Sequence, residues 1–131
     1  MTDTSTDGAL KVADTSFLYA LFSDTDTFHS DALEAARSNL SIVLPAEILS
    51  ETLALIQYRQ DFEAALRAGK WIRQQDAFQI PPAEESFADV VWKVFESSRG
   101  RLSFPDAVVV AWCRALKAKP LAYDDEIKKA A

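Results

Sequence analysis

Four short apolar runs, separated by longer helical segments, are the feature that most restricts the fold of this chain. They occupy residues 9–14 (ALKVAD), 41–45 (SIVLP), 77–80 (AFQI) and 120–123 (PLAY). Composition and periodicity predict helices at residues 17–22, 28–40, 45–59, 60–76, 83–98, 103–119 and 124–131. Strands that alternate with helices form a parallel sheet covered on both faces. We therefore predict an α/β fold, a three-layer α/β/α sandwich with a short central parallel sheet.

The length and composition are those of one globular domain. The chain has 131 residues, of which 49% are hydrophobic and 26% charged. We expect residues 1–8 (MTDTSTDG) to be a flexible tail and residues 9–131 to form a single domain. The apolar runs are much shorter than the roughly 20 residues that span a membrane, and no signal-peptide pattern is visible. The expected location is the cytoplasm.

Four acidic residues are predicted to lie near one edge of the sheet. Ligands of open parallel sheets bind beyond the carboxyl ends of the strands, because loops and helix N-termini converge there. Asp14 ends the first strand and Asp124 follows the last, whereas Asp106 opens the helix after residues 99–102. Glu51 lies in the second turn of the helix after the second strand, where it borders an apolar arc.

Each of these acids also has a purely structural interpretation. Asp106 follows Ser103 by three residues, which is the pattern of a capping box. Asp14 and Asp124 could cap turns, and Glu51 could be a solvated helix carboxylate. The four together are harder to explain structurally, because converging acids repel one another unless a cation holds them.

The chemistry of these residues points to a hard metal ion. Oxygen ligands without a histidine or cysteine partner suit Mg²⁺ or Mn²⁺ better than zinc. The formal net charge of -6 argues against a broad basic surface for nucleic acid, but a bound cation reverses the local field. Such ions can activate a water and stabilise charge on a phosphoryl group. We therefore predict phosphodiester hydrolysis.

Four segments of the sequence resemble the successive acidic motifs of PIN-domain ribonucleases. They are VADTSFLYALF with Asp14, LPAEILSETL with Glu51, LSFPDAVVVAWCRA with Asp106 and PLAYDDEI with Asp124. Their order and spacing cover nearly the whole chain. The length resembles that of the VapC-type toxins of toxin-antitoxin pairs.

This resemblance implies an endoribonuclease that depends on Mg²⁺ or Mn²⁺ and leaves 5′-phosphate and 3′-hydroxyl ends. Asp14 and Asp106 would be the principal metal ligands, and Glu51 and Asp124 would bind the metal directly or through water. A hydroxyl hydrogen bond from Ser16, or from the neighbouring Thr15, would assist. The resemblance further implies homodimers and a cognate antitoxin protein that covers or occupies the site.

One position departs from the family pattern. The family often has Thr or Ser two residues before its last aspartate, where this chain has Ala122. A hydroxyl is therefore missing beside Asp124, and the adjacent Asp125 could be the fourth acid instead. The choice between the two stays open at the level of sequence.

Two alternative functions also stay open. The chain could be a PIN-like binding module whose site is degenerate. It could also be a small phosphatase of the haloacid dehalogenase type that uses Asp24 and Asp26 in the run DTDT, although Phe28 stands where those enzymes have Thr or Val. We interpret Asp24 and Asp26 as a loop that caps the next helix. Arg99 and Arg101 are the best basic candidates for contact with RNA phosphates.

Overall fold

The computed structural model describes residues 10–39 and 41–131, so the tail predicted at residues 1–8 lies outside them. The strands are β1 (Lys11–Ala13), β2 (Ile42–Val43), β3 (Phe78–Gln79) and β4 (Lys119–Leu121). The helices are α1 (Thr15–Leu21), α2 (His29–Ser38), α3 (Ala46–Arg59), α4 (Phe62–Gln74), α5 (Glu85–Ser98), α6 (Phe104–Leu116) and α7 (Asp125–Ala130). The predicted alternation of strands and helices is therefore confirmed. The single-domain assignment of residues 9–131 stays a prediction.

The sheet is parallel, and its strand order is β3-β2-β1-β4. Val12 of β1 pairs with Val43 of β2 on one side and with Pro120 of β4 on the other. Helices cover the sheet, which confirms the predicted three-layer α/β/α fold. Because the strands are parallel, the residues that follow β1, β2 and β4 meet at the same edge.

The main hydrophobic core lies between the sheet and its helices, and α6 is its most deeply buried helix. Residues 107–111 are buried without interruption, because α6 packs against β1, β4, α5 and α7. A helix covered on several sides carries no polar stripe along that stretch. Even so, no helix in the described part of the chain is long and apolar enough to cross a membrane.

The predicted bounds of α6 and β4 are wrong by a few residues. The helix predicted at 103–119 ends at Leu116, because Lys117 adopts a left-handed conformation with φ of 54°. β4 consequently begins at Lys119 rather than at Pro120. A proline is tolerated there because β4 is an edge strand, and edge strands have no second neighbour that needs the missing N–H.

The C-terminal helix α7 depends on one apolar anchor, and this generates a stability prediction. Ile127 is fully buried, and α7 contacts α6 and β4. Ile127→Ala should lower the free energy of unfolding by about 2–5 kcal/mol, since the substitution leaves a cavity. The exposed neighbour Lys128 is the control, and Lys128→Ala should change the free energy of unfolding by less than about 0.5 kcal/mol. Urea unfolding measures both, and equal effects would contradict the packing of α7.

Candidate active site

Asp14 follows β1 directly and is the N-cap of α1. Its side chain is only 3% exposed. Oδ2 accepts hydrogen bonds from the Ser16 backbone N–H at 3.1 Å and from the Ser16 hydroxyl at 2.7 Å. The other oxygen, Oδ1, is buried and has no hydrogen-bond partner. A buried carboxylate oxygen without a partner is costly, so this atom needs an explanation.

The hydroxyls of α1 orient two of the predicted acids. Ser16 Oγ, besides donating to Asp14, accepts a hydrogen bond from the backbone N–H of Tyr123 at 3.0 Å. Thr15 Oγ1 donates to Glu51 Oε1 on α3. The sequence left Ser16 and Thr15 as alternatives, and the structure gives each hydroxyl its own carboxylate.

Asp124 is the N-cap of α7, and Asp106 is the capping-box partner of Ser103, the N-cap of α6. The Asp106 carboxylate accepts from the Ser103 backbone N–H at 3.0 Å, and Ser103 Oγ accepts in return from the Asp106 N–H at 3.2 Å. Asp124 Oδ1 accepts from the backbone N–H groups of Glu126, at 2.7 Å, and Ile127, at 3.4 Å. The structural interpretation of these acids is therefore correct, but it does not exclude a second role.

A cavity of about 510 Å³ at the carboxyl edge of the sheet brings the four predicted acids together. We call it the acidic cavity. Its lining consists of Asp14, Thr15, Ser16, Tyr19, Asp26, Phe28, Glu51, Leu55, Arg59, Asp106, Tyr123 and Asp124. Asp124 lines it and the neighbouring Asp125 does not, so of these two acids Asp124 faces the cavity.

Burial and like charge both act on Asp14. Desolvation raises the pKa of its carboxyl, the hydrogen bonds from Ser16 lower it, and the negative charge of Asp106 raises it, so that the pKa lies above its ordinary value. Asp14 and Asp106 are thus close enough to interact electrostatically. A cation placed beside them would remove the repulsion and give Asp14 Oδ1 a partner.

The donor chemistry of the acidic cavity fits a hard divalent cation. Its acids supply oxygen ligands, and the unpartnered Oδ1 of Asp14 is available. Their spacing is looser than a metal site requires, because no group of three or more Asp, Glu, His or Cys within residues 10–39 and 41–131 could hold an ion as the side chains stand.

The acidic cavity also contains residues that the sequence interpretation missed. Arg59, at the end of α3, is the one basic residue in its described lining, and its guanidinium lies 5.1 Å from the centre of the Tyr19 ring. Glu51, Leu55 and Arg59 are spaced four residues apart and all line the cavity, so helical periodicity could have revealed Arg59. Nothing in the local sequence marks Phe28 and Tyr123, which meet only in the tertiary structure.

The two arginines predicted to contact RNA lie elsewhere. Arg99 ends α5 in a left-handed conformation with φ of 52°, and it does not line the acidic cavity. Arg101 lines a separate cavity of about 90 Å³ near Arg114 and α7. Their contact with RNA stays a prediction.

The DTDT run is a loop, as the sequence indicated. The residues before Asp24 form α1 rather than a strand, which removes the context that a haloacid dehalogenase motif needs. Asp26 Oδ1 accepts from the Phe28 backbone N–H at 2.8 Å, just ahead of α2. Asp26 nevertheless lines the acidic cavity, which the sequence did not predict, whereas Asp24 does not.

The parallel α/β/α fold and the carboxylate-lined cavity at the strand ends are the features by which the chain can be compared with known protein families. The family model of the PIN domain matches residues 11–131, and the chain belongs to the PIN domain family. The resemblance seen in the sequence is thereby confirmed. No curated protein sequence matches the chain significantly.

Solved structures that share its fold include two from toxin-antitoxin systems. VapC20 from Mycobacterium tuberculosis, a toxin that cleaves the sarcin-ricin loop, has a TM-score of 0.82 and 23% sequence identity, with 92% of this chain and 95% of that one covered. VapBC2 from Rickettsia felis, bound to a DNA fragment from its promoter, has a TM-score of 0.69 and 11% identity, with 92% of each chain covered. At these identities the likeness concerns the fold.

The raised pKa of Asp14 predicts how stability depends on pH. The folded state binds the Asp14 proton more tightly than the unfolded state, so Asp14 contributes stability at low pH that is lost as the pH rises through its folded-state pKa. In buffer with a chelator, Asp14→Asn should therefore raise the Tm at pH 7, because it removes a buried charge. This gain should shrink below pH 3.8, the ordinary pKa of the group.

The matched control is Asp89→Asn at an exposed position of α5, which should leave the Tm nearly unchanged at both pH values. Thermal unfolding followed by circular dichroism across this pH range measures both variants. A lower Tm for Asp14→Asn at pH 7 would contradict the burial of an unpaired charge.

Proposed function

We propose that this protein is a metal-dependent endoribonuclease that hydrolyses RNA phosphodiester bonds and acts as the toxin of a toxin-antitoxin pair. The observation that carries the proposal is Asp14 Oδ1, a buried carboxylate oxygen without a partner, in a cavity lined by further acids. Membership of the PIN domain family supports a nuclease. The fold shared with VapC20, a sarcin-ricin loop cleaving toxin, supports RNA as the substrate.

The four acids of the cavity would bind the metal ion in two ways. Asp14 and Asp106 would be the principal ligands of Mg²⁺ or Mn²⁺, and Glu51 and Asp124 would bind it directly or through water. When bound, the cation would activate a water and offset negative charge on the phosphoryl group, leaving 5′-phosphate and 3′-hydroxyl ends. Hard cations prefer such oxygen ligands.

The hydroxyls of α1 would keep two of these carboxylates in position. The Ser16 hydroxyl donates to Asp14 Oδ2, so Oδ1 is the oxygen that remains available to bind a cation. Thr15 holds Glu51 Oε1 in the same manner. Side chains fixed by such hydrogen bonds need less reorganisation when substrate binds.

The proposal includes partners and a location. We propose that residues 9–131 form one domain and that two copies of the chain form a homodimer in the cytoplasm. A cognate antitoxin protein would cover the acidic cavity. The resemblance to VapC-type toxins implies both partners. Exposed apolar side chains on α5, such as Val90 at 45% and Trp92 at 54% exposure, offer surface for protein contacts.

A binding module with a degenerate site is the second candidate function. One observation favours it: within the described residues, no three potential ligands stand close enough to hold an ion. A binding module would keep the fold and lose both catalysis and metal-dependent stabilisation.

The first test separates these candidates by mutation. Asp14→Asn and Asp106→Asn should each reduce metal-dependent RNA cleavage by at least about 100-fold, because even residues that only orient a metal ligand cost 10- to 100-fold. Asp24→Asn, an identical change in a loop outside the cavity, should leave cleavage unchanged. Cleavage of RNA with mapped product ends, with and without Mn²⁺, measures all three variants.

Two outcomes would contradict the nuclease proposal. Full activity in Asp14→Asn or in Asp106→Asn would show that the substituted acid is not needed for cleavage. If Mn²⁺ neither stabilises the wild-type protein against heat nor permits cleavage, the binding module is the better description. Activity on a small phosphate ester that is lost in Asp24→Asn would instead favour the phosphatase.

Arg59 is the residue best placed to contact the RNA backbone within the site. The acids repel phosphates, and Arg59 is the one cation in the described lining of their cavity. Its guanidinium lies over the Tyr19 ring, which orients it and leaves its N–H groups for an anion.

Arg59→Gln should weaken RNA binding. It should also make the negative slope of log affinity against log salt shallower by about 0.7, the value for one phosphate contact on a single strand. Asp14→Asn protein, which does not consume the RNA, serves as the background for the titration. Arg73→Gln, at an exposed arginine of α4 outside the cavity, is the control and should keep the slope. Equal slopes for both variants would exclude Arg59 from phosphate contact.

A further inference from the structure

Phe28 is a partly exposed aromatic residue at a helix N-cap, a position that its side chain does not stabilise. It is 40% exposed although it lines the acidic cavity. It also occupies the N-cap position of α2, where it makes no side-chain hydrogen bond. Ser, Thr, Asp and Asn are the residues that stabilise this position. A large apolar ring at such a place requires another reason.

The Phe28 ring is held in a fixed orientation. It stacks on Tyr123 with a centroid distance of 4.3 Å and an interplanar angle of 4°. The backbone N–H of Tyr123 donates to Ser16 Oγ, and Ser16 in turn donates to Asp14. On its other side, the Phe28 backbone N–H donates to Asp26 Oδ1 at 2.8 Å. The stacked pair is thus connected through two hydrogen bonds to the central carboxylate of the cavity.

The open face of this ring suits a nucleobase. Tyr123 covers one face of Phe28, and Phe28 lines the cavity while 40% of its surface remains exposed. An acidic peptide would be repelled by Asp26 and the other carboxylates, whereas a nucleobase presents a neutral π-face of matching size. We propose that Phe28, supported by Tyr123, is a stacking subsite for the base of a nucleotide that flanks the scissile phosphate.

This subsite rests on the proposed ribonuclease function and adds a requirement to it. A base inside a duplex is already stacked on its neighbours and must be unstacked before it can reach Phe28. The flanking nucleotide must therefore be unpaired in the substrate. Stacking on an aromatic ring tolerates any base, so the subsite selects single-stranded geometry rather than one sequence.

The test uses a short single-stranded oligoribonucleotide selected from a randomised pool by wild-type cleavage. Phe28→Leu should raise KM by about tenfold, within the range for loss of one base stack, and change kcat by less than about twofold. Phe28→Trp should restore the KM, because indole also stacks. Phe62→Leu, at a phenylalanine that is 57% exposed on α4 outside the cavity, is the control and should behave as wild type.

A second arm identifies the stacked nucleotide. Abasic replacement at one position beside the cleaved bond should raise the wild-type KM as much as Phe28→Leu does, and the two changes together should cost no more than either alone. Binding of the same RNAs to Asp14→Asn protein, and unfolding of each variant followed by circular dichroism, separate lost contacts from lost folding.

The outcomes distinguish this inference from the function on which it rests. If wild-type protein neither binds nor cleaves RNA, both fail. If it cleaves RNA while folded Phe28→Leu keeps the wild-type KM, or if no abasic position reproduces the loss, the stacking subsite alone is overturned and the exposed ring is left to a protein partner.

Discussion

The hydroxyl of Ser16 joins the two strands on whose ends the acidic cavity depends. It donates to Asp14 after β1 and accepts from the backbone N–H of Tyr123 after β4, while the Asp14 N–H donates to the Leu121 carbonyl at 3.0 Å. These bonds hold one carboxylate oxygen of Asp14 and leave the other without a partner. They also fix Tyr123, on which Phe28 stacks. One side chain thus connects the central acid of the cavity to the loop that carries the aromatic pair.

The acids of the cavity combine structural and chemical roles. Asp14, Asp106 and Asp124 each accept hydrogen bonds from the backbone N–H groups at a helix start. In a parallel α/β fold these helix starts lie at the carboxyl edge of the sheet, where ligands also bind. Helix-capping residues and ligand-binding residues therefore lie at the same edge of the sheet. The backbone N–H donors there offset part of the repulsion among the carboxylates. A capping motif in such a protein is no argument against a functional site.

Particular residues mark the limit of what could be predicted for the site. Local signals revealed the four acids: Asp14 and Asp124 each follow a strand, Asp106 opens a helix, and Glu51 borders the apolar arc of one. Asp26, Phe28 and Tyr123 were missed because they come together only through the packing of loops far apart in sequence. Arg59 was missed although it follows Glu51 by two helical turns. Arg99 and Arg101 were chosen for sequence proximity to Asp106, but neither lines the acidic cavity, and Arg101 lines a separate one.

The sequence by itself determined the α/β class, the order of the elements and the four acids at the strand ends. Those features depend on hydrophobic periodicity, on local turn chemistry and on the rule that parallel strands end at one edge. Only the tertiary structure decided which oxygen of Asp14 lacks a partner, which hydroxyl serves which carboxylate and which ring faces the cavity. These depend on distances between side chains from separate elements, which no local pattern encodes. The end of α6 at Leu116 was likewise decided by the left-handed turn at Lys117 and the start of an edge strand.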